Sequence, residues 1–156
     1  WPYCITEEMR KNLSELSKKL KEDGHKIYII TGRVHTTEDG IRGKLFRKML
    51  LSWLKKNDFE YDEIIYVNEN NSAEEKLNAC KENNIDLMIE DNPDICKKLI
   101  ENKINTLYFR DKDSKKIENN DYLCEVSNIG EILRYIVKKY GYNNSTETYK
   151  RILKKL

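Results

Sequence analysis

Short apolar segments alternate along this chain with longer amphipathic ones, and this alternation limits the folds open to it more than any other feature. The short segments read KIYIITGR from Lys26, EIIYV from Glu63, DLMIE from Asp86, NTLYF from Asn105 and YLCEV from Tyr122. They are rich in β-branched and aromatic residues and too short for buried helices, so they are predicted to be strands. Strands that alternate with helices predict an α/β domain with a mostly parallel sheet and helices on both of its faces.

The amphipathic segments are predicted to be helices. Their apolar residues recur at helical spacing: Met9, Leu13, Leu16 and Leu20; Leu45, Met49 and Trp53; Leu77 and Cys80; Ile95, Cys96, Leu99 and Ile100; Ile129, Ile132, Leu133, Ile136 and Val137. Asn92 followed by Pro93 is typical of a helix start, because the asparagine caps free amides and proline fits the first helical position. Ser72 with Glu75 three residues later is a capping-box signature. The third helix is therefore predicted to begin near Ala73, with Lys76 in its first turn.

The composition favours one soluble domain without a strong overall charge. The chain has 156 residues, and 29 basic against 27 acidic side chains leave a formal net charge of +2. This balance argues against nucleic acid or anionic lipid as a general partner. No apolar run approaches the roughly 20 residues that cross a bilayer, and the N-terminus lacks the pattern of a signal peptide. We therefore expect a cytoplasmic protein that does not bind membranes; a homodimer is compatible with this composition.

The four cysteines and the C-terminal residues carry little functional information. Cys4, Cys80, Cys96 and Cys124 are far apart and lack CxxC spacing, so reduced core residues are expected rather than disulfides or zinc ligands. The core is expected to span residues 1–140. Residues 141–156 are predicted to form a basic helix or tail, and its cations more often belong to a solvated face than to a nucleic-acid site.

Polar side chains follow three of the predicted strands. Thr31, Gly32 and Arg33 end the first, Lys76 begins the helix after the second, and Glu90 with Asp91 ends the third. Because ligands of parallel sheets bind beyond the carboxyl ends of the strands, these groups are candidates for one site. The threonine hydroxyl and the glycine amide suit a phosphate oxygen, and adjacent carboxylates suit Mg²⁺, which binds one or two carboxylates together with phosphate and water.

Each of these residues also has a simpler interpretation. Thr31 can cap the next segment, Arg33 and Lys76 can be ordinary solvated cations, and one acid of the Glu90–Asp91 pair can cap the following helix. Lys76 is unfavourable near a helix N-terminus unless an anion lies nearby. The acid pair, in turn, is costly at the end of an apolar strand unless a metal ion, a basic neighbour or solvent compensates it.

In combination, these motifs resemble those of the haloacid dehalogenase superfamily of phosphohydrolases. YIITGR is similar to its second motif, Lys76 to its third and IEDNPD to its fourth, and the run EEKLNACKENNIDLMIEDNPDICKKL is similar to the 5'(3')-deoxyribonucleotidase type. The resemblance implies a Rossmann-like three-layer core, Mg²⁺, and hydrolysis of a phosphomonoester, such as a nucleotide, through an aspartyl-phosphate. It also implies that Thr31, Gly32, Arg33 and Lys76 bind the phosphoryl group, that Thr31 and Lys76 are catalytic, and that Glu90 and Asp91 support the metal.

The chain departs from this family at its beginning. The first motif, an Asp-x-Asp at the end of a first strand, should precede YIITGR, and no such motif or cap insertion is found there. In the family that strand lies between the strands that carry Thr31 and Asp91, so its absence predicts a slot with unpaired backbone groups. We expect the C-terminal part of a longer phosphatase. The alternatives are a phosphate-binding relative without a nucleophile and a doubly wound interaction domain with an acidic pocket.

Overall fold

The computed structural model describes residues 7–32, 39–110 and 112–140, and it has the predicted alternation of helices and strands. Cys4, Arg33 and residues 141–156 lie outside the described residues. The elements in chain order are α1 (Glu7–Glu22), β1 (Tyr28–Thr31), α2 (Ile41–Lys56), β2 (Glu63–Tyr66), α3 (Ser72–Glu82), β3 (Met88–Glu90), α4 (Pro93–Glu101), β4 (Thr106–Phe109), β5 (Leu123–Val126) and α5 (Ile129–Tyr140). The α/β class is thus confirmed. No helix in these ranges is long and apolar enough to cross a membrane.

The strands form two sheets rather than the single sheet that was predicted. β3, β4 and β5 pair in that order and run parallel, with Ile89 opposite Leu107 and Leu107 opposite Cys124. β1 and β2 form a separate two-stranded sheet. Within the described ranges no pairing joins β1 to β3, which are the two strands between which the sequence predicts an unfilled slot. Short parallel sheets flanked by helices are compatible with a Rossmann-like fold.

The described residues fall into two compact units, of which the first comprises residues 7–29, 39–64 and 129–140. Its core joins α1 to α5 through Leu16, Ile129 and Leu133. The loop after α2 is tied to the same unit, because the Ser14 hydroxyl donates a hydrogen bond of 2.6 Å to the carbonyl of Asp58.

The second unit comprises residues 30–32, 65–110 and 112–128. One cluster packs α3, β3 and α4 around buried Leu77, Cys80, Met88, Ile95 and Leu99, with Ile30 of β1 against it. Another cluster consists of Cys96, Ile100, Tyr108 and Ile117. Apolar residues of α4 lie in both clusters, which explains why its predicted apolar positions are all buried.

Helices α2, α3 and α4 end in the same way. An asparagine at each C-cap donates its side-chain N–H to the carbonyl four residues earlier, at 2.7–2.8 Å; these residues are Asn57, Asn83 and Asn102. The next residue has a positive φ in every case: 52° at Asp58, 51° at Asn84 and 60° at Lys103. This left-handed residue lets two amides bond back to the last carbonyls of the helix, as in a Schellman motif. Each helix therefore stops sharply.

The two predicted helix caps have different outcomes. Asn92 caps α4 as predicted, since its side chain accepts hydrogen bonds from the amides of Asp94 at 2.9 Å and Ile95 at 3.2 Å. The third helix starts within one residue of the predicted Ala73, but the capping box is wrong, because Ser72 is the first residue of α3 and the N-cap is Asn71, which makes no side-chain capping bond. The prediction that Lys76 lies in the first turn is wrong for the same reason, since it is the fifth residue of the helix.

Candidate functional site

The Thr-Gly turn after β1 lies against the start of α3. A Cβ atom added to Gly32 would lie 3.3 Å from Cβ of Ser72 and 3.5 Å from Cγ2 of Val67. The carbonyl of Thr31 accepts a hydrogen bond of 2.9 Å from the amide of Val67, which holds the end of β1 to the segment that leads into α3. Glycine therefore allows a closer approach between the turn and the helix than a larger residue would.

Lys76 extends from the same side of α3 toward the end of β3. Residues four apart in a helix share a face, so Lys76 lies one turn beyond Ser72 on the side that Gly32 contacts. Its Nζ donates a hydrogen bond of 2.7 Å to Oε2 of Glu90. Only 12% of the Lys76 side chain and 5% of the Glu90 side chain are exposed. The charges that the sequence left unexplained on the helix and on the strand thus compensate each other.

The second oxygen of Glu90 is also engaged. Oε1 accepts hydrogen bonds of 3.1 Å from the amides of both Asp91 and Asn92. The carboxylate therefore fixes the backbone between β3 and α4, directly before Asn92 caps that helix. Of the three partners that the sequence analysis considered for this acid, a metal ion, a basic neighbour or solvent, the structure shows the basic neighbour, Lys76.

The electrostatics of the pair are set first by burial. Desolvation raises the pKa of Glu90 above its ordinary value, and the attraction and hydrogen bond of Lys76 oppose this shift only in part. The two cysteines near the pair are shifted in the same direction. Burial raises the pKa of Cys80 to about 11 and that of Cys96 to about 12, so both are protonated at neutral pH.

Glu90 and Asp91 fit a magnesium ion only in part. Asp91 is exposed at the tip of β3 and can reach a cation from solvent, whereas both oxygens of Glu90 already accept hydrogen bonds. In the part of the chain that the structure describes, no group of three or more His, Cys, Asp or Glu residues is placed to hold a metal ion. A Mg²⁺ ion held by these residues would therefore depend on Asp91, phosphate oxygens and water.

The structure brings together most, but not all, of the residues that the sequence singled out. Gly32 contacts the start of α3, Lys76 of that helix pairs with Glu90, and Asp91 follows; Arg33 lies outside the described residues. Sequence reasoning missed that Ser72 faces the glycine turn rather than caps the helix. A glycine directly after a strand is the signal that could have indicated this contact, because it often marks a close approach between backbones.

Comparison of the chain with models of known protein families, with curated proteins and with solved structures found no match.

Proposed function

We propose that this chain forms the phosphate-binding part of a Mg²⁺-dependent phosphomonoester hydrolase of the haloacid dehalogenase type, with a nucleotide as the substrate class. The observation that carries the proposal is the largely buried Lys76, which lies one helical turn beyond the Ser72 that the glycine turn contacts and pairs with the acid at the end of β3. A largely buried cation on the helix that packs against a glycine turn is an arrangement suited to a phosphate dianion.

In this proposal each group has a separate role toward the phosphoryl group. The hydroxyl of Thr31 and the amide of Gly32 donate hydrogen bonds to its oxygens, and Arg33 adds positive charge. Lys76 stabilises the charge that develops during transfer, and Glu90 keeps the lysine extended toward it. Asp91 binds Mg²⁺, with Glu90 holding its backbone in place. The ion supplies neutralisation of the phosphate charge.

The nucleophile is proposed to come from a strand outside the described residues. Within those residues no aspartate stands at the C-terminal end of a strand before β1; Asp23 directly follows α1. β1 and β3 each lack a strand neighbour on one side in the described ranges. A strand that pairs there and ends in Asp-x-Asp would place its carboxylates beside the Thr31 turn, because parallel strands end at the same edge of a sheet.

Binding and turnover test separate parts of this proposal. We expect the chain itself to bind orthophosphate or a nucleoside monophosphate in isothermal titration calorimetry. Binding should weaken by about tenfold or more, as expected for a charged hydrogen-bond donor, when Lys76 is replaced by Met. Lys98→Met is the matched control, since Lys98 pairs with Glu74 on the surface. Equal affinity of all three proteins would contradict the assignment of the site.

Turnover is tested by fusing an apolar strand that ends in Asp-x-Asp to the N-terminus. Hydrolysis of nucleoside monophosphates should then require Mg²⁺ and should fall by about a hundredfold or more in Asp91→Asn or Thr31→Val. A fused protein whose activity is unaffected by Asp91→Asn is not the proposed enzyme.

A non-catalytic phosphate-binding relative is the second candidate. It is favoured by the pairing of Lys76 with Glu90, which leaves the described residues with a charge-compensated site and no nucleophile. This candidate predicts phosphate binding that depends on Lys76, with no turnover when the additional strand is supplied.

A further inference from the structure

Helix α2 presents a row of apolar side chains to solvent. Ile41, Leu45 and Met49 are spaced four residues apart and are 88%, 53% and 53% exposed. They lie on one face, because residues four apart in a helix are neighbours on its surface. The opposite face carries Gly43, Leu50 and Leu54, which are buried. The row Ile41, Leu45 and Met49, called the outer stripe below, is thus separate from the side of α2 that packs into its unit. Contiguous exposed apolar surface commonly marks an interaction site.

The charges of α2 all have the same sign. The helix contains six cations and no acidic residue: Arg42, Lys44, Arg47, Lys48, Lys55 and Lys56. At 3.6 residues per turn, Lys44, Lys48 and Lys55 follow one side of the outer stripe, and Arg42 follows the other. A partner that covers the stripe therefore has to bring negative charge to its edges.

This charge pattern disfavours several possible partners for the stripe: another copy of this chain, its own basic C-terminal residues, nucleic acid and a membrane surface. A second copy of α2 would place like charges opposite each other, and the basic residues near the C-terminus of this chain would do the same. Nucleic acid is disfavoured because its charged phosphates would lie against the apolar side chains at the centre of the stripe. Interfacial membrane helices bury a broad apolar face, whereas Ser52 and Lys56 interrupt this narrow one.

We propose that the outer stripe of α2 is a docking surface for an acidic amphipathic helix of a partner protein. Apolar side chains of that helix pack on Ile41, Leu45 and Met49, and its flanking carboxylates pair with Lys44, Lys48 and Lys55. A row of anchors spaced four residues apart is the pattern by which one helix packs along another. The proposal uses no residue of the phosphate site and is independent of the proposed function.

The test uses the full chain and a fluorescein-labelled synthetic peptide as the probe. The peptide has leucines on one helical face and glutamates beside them, and a control peptide has the same composition in shuffled order. Fluorescence anisotropy should report saturable binding of the first peptide only, weakened by salt. Replacing both Leu45 and Met49 by Ser should lower its affinity by about tenfold or more, as for anchor residues of an interface. Replacing both Lys44 and Lys48 by Gln should reduce the salt dependence.

The matched control is Leu51→Ser. Leu51 is 43% exposed on the same helix but lies outside the outer stripe, so peptide affinity should stay within about twofold of the unsubstituted chain. All the substituted side chains are exposed, and circular dichroism verifies that each variant is folded. The proposal is overturned if neither peptide binds, if both bind equally, or if the Leu45 and Met49 substitutions have no effect. It is also overturned if the stripe instead mediates self-association in sedimentation or binding to phosphatidylserine vesicles.

Discussion

Removal of Lys76 alone leaves the carboxylate of Glu90 buried without its cation. Breaking a buried ion pair in this way commonly costs about 3–5 kcal/mol, whereas replacing both partners costs much less. We therefore expect Lys76→Met to lower the free energy of unfolding by an amount of this order, and Lys76→Met combined with Glu90→Gln to restore a large part of it. Urea unfolding in metal-free buffer measures both effects. In the surface pair, Lys98→Met should cost less than about 1 kcal/mol, because Lys98 and Glu74 are solvated.

The pH dependence of the stability of the Lys76→Met variant is a second test of the same ion pair. Glu90 has a pKa above its ordinary value of 4.5 in the folded chain because it is buried, and loss of Lys76 raises this pKa further. An acid with a raised pKa binds more protons in the folded chain than in the unfolded one. Protonation of Glu90 therefore stabilises the folded chain at low pH, and this contribution to the free energy of unfolding is lost as the pH rises through the folded pKa. The stability of the variant should therefore approach that of the unsubstituted chain in mildly acidic buffer. A gap that is constant with pH would contradict the ionisation of Glu90.

The cysteines should differ in reactivity because only the thiolate is nucleophilic. Burial holds the pKa of Cys80 at about 11 and of Cys96 at about 12, and both side chains are buried, whereas Cys124 is only partly buried. A short exposure to iodoacetamide near neutral pH should therefore label Cys124 before Cys80 and Cys96, as located by mass spectrometry of peptides. All should react in urea. Labelling of Cys96 as fast as Cys124 in the folded chain would show that α4 opens readily.

At the level of the helices, the left-handed residues after α2, α3 and α4 carry a backbone cost that glycine would remove. Lys103 has a φ of 60° and is exposed, so Lys103→Gly should raise the free energy of unfolding by about 1 kcal/mol. Thermal and urea unfolding provide the measurement. In Lys97→Gly, within α4 itself, the same change should instead lower stability by about 1 kcal/mol. Destabilisation by both substitutions would mean that the Lys103 side chain makes a contribution that outweighs its backbone strain.

Some local sequence patterns were sufficient to predict where a helix begins or which of its faces is buried, and others were not. Asn92 and Pro93 predicted the start of α4 because the capping bonds involve neighbouring residues only. Ser72 misled because the segment before it formed a 3-10 turn, whose own cap is Asn68. In α2 the spacing of Leu45 and Met49 predicted a helix, but both residues lie on the exposed side. Periodicity identifies the faces of a helix, whereas the rest of the molecule decides which face is buried.

At the level of the whole chain, the sequence indicated which residues would form the candidate site, but not which of them would bond to each other. The order of the strands indicated that Gly32, Lys76 and Glu90 would lie at strand or helix ends. Their partners depend on contacts between distant segments, and the 2.7 Å bond from Lys76 to Glu90 joins residues that no local rule relates. The division into two sheets is non-local in the same sense, since strand pairing depends on which edges find a neighbour.

Within the described ranges β3 pairs with β4 only, and its other edge predicts a specific pattern of hydrogen exchange. The amide of Met88 bonds to the carbonyl of Asn105, so the backbone of Ile89, the next residue, points away from β4. Leu107 lies in β4, which is paired on both sides. We therefore expect the amide of Ile89 to exchange at least about a hundredfold faster than that of Leu107 under native conditions, as measured by NMR. Supplying the Asp-x-Asp strand should slow the exchange of Ile89 and leave Leu107 nearly unchanged. Equal protection of the two amides in the chain alone would mean that β3 already has a neighbour on its outer edge, and the slot required for the proposed catalytic strand would not exist.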